Sequence, residues 1–129
     1  MTSGIEHPPD DPSIDSYKTT WSRRIEARKH HLQERKEMLL KLAGNCAEIL
    51  RKEYGLTEIY LIGSLAHPYL INEHTDIDIV VRGLPDAVYF HTLKELYKIL
   101  PAGVELDLIT AESASGNMLY AIEKEGIRL

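Results

Sequence analysis

Cysteine is almost missing from this chain. Cys46 stands alone among 129 residues, which excludes an internal disulfide framework and any cysteine-built zinc site. Long apolar runs are missing too, and none approaches the ~20 residues of a membrane span. Met1 to Asp15 has neither the basic start nor the apolar segment of a secretory signal. The expected compartment is therefore the cytoplasm. Lysine and arginine are absent from residues 1–15, which carry four acids and the run Pro8-Pro9-Asp10-Asp11-Pro12. A segment with so little to bury is expected to be a disordered tail.

What remains has an ordinary globular balance, 43% hydrophobic and 27% charged. A chain of this size buries roughly two-thirds of its unfolded surface, enough for a core without staples. The net charge of −5 is unevenly spread. Residues 23–41 hold seven Lys and Arg against three Glu, whereas residues 57–129 hold five against eleven acids. So acidic a body is a poor platform for nucleic acid. It suits metal cations or a partner with a basic surface.

Residues 16–54 contain no proline, and Ile25, Leu32, Leu39 and Cys46 recur every seven residues, joined by Leu42 and Ile49. That spacing predicts one long N-terminal helix with a single apolar stripe. Arg28 and Arg35 fill alternate seam positions in its first half, which points to pairing with another chain through an acidic groove. The second half, richer in Leu, should pack on the body. Gly44-Asn45 is a candidate bend or break, and Gly55 a C-cap. Beyond it the pattern alternates. Strands are predicted at Glu58–Ile62, Asp76–Val81 and Val104–Ile109, with a last one over Ile127-Arg128-Leu129. Helices are predicted at Asp86–Leu100 and Ser113–Glu125, the latter capped by Ser113 or Ser115. The expected class is α+β: a small mixed sheet packed with helices and preceded by a long helix. The expected division is a tail over 1–15, a helical extension over 16–54 and a domain over 55–129.

Three features carry chemistry. Asp76 and Asp78 lie two apart on a strand and so share a face, about 7 Å apart, while Ile77 and Ile79 face the core. Two such carboxylates repel, and a shared hard cation such as Mg²⁺ removes that cost. Gly63-Ser64 follows the first strand directly. Glycine allows close backbone approach, and the hydroxyl and neighbouring N–H groups can receive a phosphate. Asp107 lies between Leu106 and Leu108, and Glu105, on the same face, competes with it. If that strand neighbours the one with Asp76 and Asp78, three carboxylates converge, the minimum for metal-assisted phosphoryl or nucleotidyl transfer. His30, His31, His74 and His91 read as solvated, and Trp21 as a packing or interface aromatic.

Taken together, Gly63-Ser64, Asp76-Ile77-Asp78 and Asp107 resemble the DNA polymerase β-like nucleotidyltransferase superfamily. The run from Asp76 to Pro85 and the ending Ile122 to Leu129 are similar to its minimal nucleotidyltransferase family. The resemblance covers about residues 57–129 and implies the nucleotidyltransferase fold. It implies that Gly63 and Ser64 hold the β- and γ-phosphates of ATP. It implies that Asp76 and Asp78 hold two Mg²⁺ ions, and that Asp107 shares one and helps deprotonate the acceptor. Many minimal members are antitoxins that transfer AMP to a tyrosine of a HEPN-type toxin, so such a toxin is the implied partner. The family usually carries Arg and then Arg-Gly after the Gly-Ser. Here the run is Leu65-Ala66-His67-Pro68-Tyr69, which makes His67 the candidate in the second arginine's place. The implied activity is AMP transfer. The alternatives are a degenerate member that inhibits its partner by contact alone, and nucleotidyl transfer to a small molecule. A homo-oligomer formed through the long helix is also expected.

Overall fold

A computed structural model describes residues 12–129. The expected tail lies outside the described residues as far as residue 11. Helix α1 spans Pro12–Tyr54, so it begins four residues before Ser16. Proline at a helix start has its φ already set, and Asp15 in the first turn complements the helix dipole. Gly44-Asn45 does not break α1 into two elements. Ala43, Cys46 and Ala47 around it are fully buried, and tertiary packing outweighs the weak propensity of glycine. At the far end Gly55, with φ 67°, donates to the Arg51 carbonyl at 3.1 Å, and Leu56 donates to Leu50 at 3.2 Å. These are the paired bonds of a glycine C-cap.

The chain divides into two compact units, one ending at Glu34 and one spanning Arg35–Leu129. In the first, Tyr17, Trp21 and Ile25 are exposed. In the second, the apolar stripe of α1 is buried at Leu39, Cys46 and Leu50.

The second unit is built on a four-stranded sheet in the order β3-β2-β1-β4. The strands are β1 (Ile59–Ile62), β2 (Ile77–Val81), β3 (Leu106–Thr110) and β4 (Ile127–Arg128). β1 is antiparallel to β2 and β4, and β2 is parallel to β3. A parallel pair needs a crossover, supplied by α2 (Tyr89–Tyr97) after a short 3₁₀ turn at Asp86–Val88. Strand alternation splits the faces. Ile59, Leu61, Ile77, Ile79, Leu106 and Leu108 point into the core with Leu39, Leu50 and Leu96. Tyr60, Asp78, Val80 and Asp107 take the other face. There, Tyr60 and Val80 share a cavity of about 420 Å³ with Leu119 and Ile122 of α3 (Gly116–Glu125). Of the two serines expected to cap α3, Ser115 does so, accepting from the Met118 N–H.

Strand β3 is an edge, and edges with unpaired backbone groups invite pairing with other chains. Two tyrosines of α2 cover it. The Tyr97 hydroxyl accepts from Leu106 N–H at 3.0 Å and faces the Leu106 carbonyl at 3.1 Å. Tyr89 donates to the Leu108 carbonyl at 2.6 Å. Among the described residues, no helix is long and apolar enough to cross a membrane.

Candidate active site

The polar face of the sheet collects the acids. In the register, Ile62 of β1 stands opposite Asp78, and Asp78 is level with Asp107 of β3. Adjacent strands lie about 4.7–4.9 Å apart, so Asp78 and Asp107 are immediate neighbours on one face. Burial raises the Asp78 carboxyl above its ordinary value of 3.8, and the charges of Asp107 and Asp76 raise it further. Asp78 therefore feels both of the other carboxylates. Glu105, the competitor on β3, is instead met by the Tyr97 hydroxyl at 3.2 Å, at the sheet edge.

Asp76 lies one residue before β2, and a knotted turn sets its position. Asn72 Oδ1 accepts from His74 N–H at 2.7 Å, and Thr75 Oγ1 accepts from Asn72 N–H at 2.9 Å. Thr75 is buried, and its carbonyl accepts from the Arg35 guanidinium at 2.9 Å. Arg35 was expected to face a partner groove from the helix seam. It is turned inward instead, because this carbonyl beside Asp76 needs a donor. Its Nε is buried without a hydrogen-bond partner. The Asn72-x-x-Thr75 turn is built from local polar chemistry, whereas Arg35 reaches it from forty residues away.

Gly63 ends β1 with φ 75° and ψ −158°, a region that side chains avoid. A Cβ built there would collide with Asp78 Oδ2. Glycine is therefore required twice, by its backbone and by the carboxylate pressed against it. The chain then makes a 3₁₀ turn, Ser64–Ala66, whose start no side chain caps. Gly63, Ser64 and His67 line a cavity of about 790 Å³ with Ser115, Asn117 and Glu125 from the α3 side. His67 Nε2 lies 3.1 Å from Glu125 Oε2. That contact was missed in the sequence, where nothing links residues so far apart.

Among the described residues, no three His, Cys, Asp or Glu side chains stand close enough to hold a metal ion by themselves. The donors present fit a hard divalent cation that completes its shell with phosphate oxygens and water. They are all oxygens, and the like charges crowding Asp78 are what such an ion would relieve.

No family model and no curated protein sequence matches the chain. Solved structures do. A chain of the toxin–antitoxin MntA-HpeT, in mutant form, is 27% identical over 67% of this chain and 69% of that one, with a TM-score of 0.53. A toxin–antitoxin structure with AMP-PNP is 25% identical over 65% and 69%, also with a TM-score of 0.53. A structure of tri-AMPylated Shewanella oneidensis HEPN toxin in complex with MNT antitoxin is 23% identical over 70% of each chain, with a TM-score of 0.52. The fold is thus the α+β nucleotidyltransferase fold that the sequence motifs implied, and these neighbours come from toxin–antitoxin structures.

Proposed function

We propose that this chain is a nucleotidyltransferase that moves AMP from ATP to a hydroxyl of a protein partner, a tyrosine of a HEPN-type toxin, and so acts as an antitoxin. The observation that carries the reading is Asp78, level with Asp107 on one side and crowded by Gly63 on the other. Phosphate-approaching backbone and cation-binding acids meet at that point. The neighbours solved with AMP-PNP and with an AMPylated HEPN toxin support it.

In this reading Asp76, Asp78 and Asp107 hold Mg²⁺, two ions in the full site. When bound, Mg²⁺ neutralises phosphate charge and lowers the barrier at phosphorus. Gly63 lets the β- and γ-phosphates approach the backbone, and the uncapped turn after it offers N–H groups with the Ser64 hydroxyl. His67 lines the same cavity and donates to phosphate when protonated. Asp107, exposed at the sheet face, accepts the proton of the acceptor hydroxyl. That oxygen bonds to the α-phosphorus, the bridging P–O bond to the β-phosphate breaks, and pyrophosphate leaves with the electron pair. Such chemistry belongs in the cytoplasm, where ATP is made available.

A second reading has one observation in its favour. Among the described residues, no Lys or Arg lines the cavity, which suits a chain that inhibits its partner by contact alone. Incubation with ATP labelled at the α-phosphate, Mg²⁺ and a HEPN-type protein separates the two. Transfer predicts a partner mass higher by one AMP or more, lost with Asp78→Asn. A partner inhibited but never labelled would leave only the binding reading. The exposed Tyr17, Trp21 and Ile25 of the first unit support self-association through the long helix.

A further inference from the structure

The cavity beside Gly63 and Ser64 is short of positive charge. Among the described residues that line it, only His67 can become cationic, and Glu125 already holds it at 3.1 Å. Asp78, itself crowded by Asp107 and Asp76, stands against Gly63. Four cations of the Arg35–Leu129 unit are engaged with other groups. Arg35 donates to the Thr75 carbonyl, Arg82 pairs with Glu58 at 3.2 Å, and Arg128 donates to the Thr57 carbonyl at 3.1 Å. Lys124 sits over the Tyr120 ring, 5.8 Å from its centre. Residues 1–11 contain no Lys or Arg at all. A nucleoside triphosphate is a polyanion, and further charge builds on the pyrophosphate as its bond to the α-phosphorus breaks. Fixed cations aimed at that charge are a large part of such catalysis.

We propose that the phosphate end of this cavity is completed in trans, by an Arg or Lys side chain that the acceptor protein presents at its mouth. The inference rests on the nucleotidyltransferase reading and deepens it: nucleotide binding is coupled to partner engagement. By linkage each ligand then tightens the other by the same factor. The acidic surface of the chain favours a basic partner face. Glu125 keeps the unpartnered site weak, because it occupies the His67 ring nitrogen that would otherwise meet phosphate.

The test is calorimetric titration of Mg²⁺–AMP-PNP into the chain alone and into its complex with a HEPN-type protein. The complex should bind about tenfold tighter or more, with the gap shrinking at high salt. His67→Arg, which adds the cation in cis, should tighten binding by the chain alone several-fold and reduce the gain from the partner. Glu125→Gln should act in the same direction more weakly. Equal affinity alone and in complex, or no gain from His67→Arg, overturns the inference. So does a loss of affinity in the free chain on deleting residues 1–30, which would trace the cation to its own helix. Those outcomes leave the nucleotidyltransferase reading standing. Nucleotide binding absent from both forms, or unchanged by Asp78→Asn, would overturn that reading and this inference with it.

Discussion

Replacing Gly63 by alanine adds one methyl group at the point where β1 meets Asp78. The first cost is in the backbone. At φ 75° and ψ −158° a residue with a Cβ is strained by about 1–3 kcal/mol. The second is steric: the new Cβ collides with Asp78 Oδ2. Asp78 sits on a paired strand, so only its side chain can give. Forcing a side chain off its rotamer costs about 0.5–1.5 kcal/mol. The sum is about 2–4 kcal/mol. At roughly 4 °C per kcal/mol for a chain of this size, Tm should fall by about 8–16 °C. Scanning calorimetry of wild type, Gly63→Ala, Asp78→Ala and the double variant separates the two costs. With Asp78 truncated, the alanine at 63 should cost about 1 kcal/mol less, because only the backbone part remains. A Gly63→Ala protein that melts within about 2 °C of wild type would refute the argument. An identical penalty with and without the Asp78 carboxylate would refute its steric half.

Asp78→Asn should raise Tm at neutral pH in the absence of divalent ions. The folded-state pKa of Asp78 is raised, so the unfolded chain ionises first. Wild-type stability then falls as pH rises from the ordinary carboxylate value of 3.8 through the raised one, and the penalty is constant above. The advantage of the Asn variant should vanish on acidification below that window, and Mg²⁺ should stabilise only wild type; thermal melts across pH check both. Tyr97→Phe exposes the β3 edge by removing the partner of Leu106, and should cost about 1–2 kcal/mol in urea titrations. A tendency to aggregate should accompany it. Arg35→Leu frees the Thr75 carbonyl and should cost about 1 kcal/mol, with weaker Mg²⁺–AMP-PNP binding because the turn before Asp76 loosens. Deleting residues 1–30 should leave a folded Arg35–Leu129 unit by circular dichroism and lower the molar mass seen by light scattering.

The local and periodic properties of this protein were legible in its residues. Alternation marked Ile59–Ile62, Ile77–Val81 and Leu106–Thr110 as strands to within two residues of their observed bounds. Gly55, and Ser115 as one of two serines offered, announced the ends they cap, because a cap depends on a few neighbouring backbone groups. Strand periodicity fixed which face Asp76, Asp78 and Asp107 take, and the family resemblance joined them to Gly63 and Ser64. Which strand lies beside which is another matter. Local sequence does not encode strand order, and only the parallel pairing of β2 with β3 made Asp107, rather than Glu105, the neighbour that crowds Asp78. Arg35 showed the same limit. By helical spacing it belonged to an exposed seam, but a carbonyl forty residues away claimed it. Gly44 kept its place within α1 because buried neighbours outweighed its propensity. The tie between His67 and Glu125 exists only because α3 runs past the loop after β1. Contacts between residues distant in sequence depend on the whole packed chain, so the tertiary structure alone decided them.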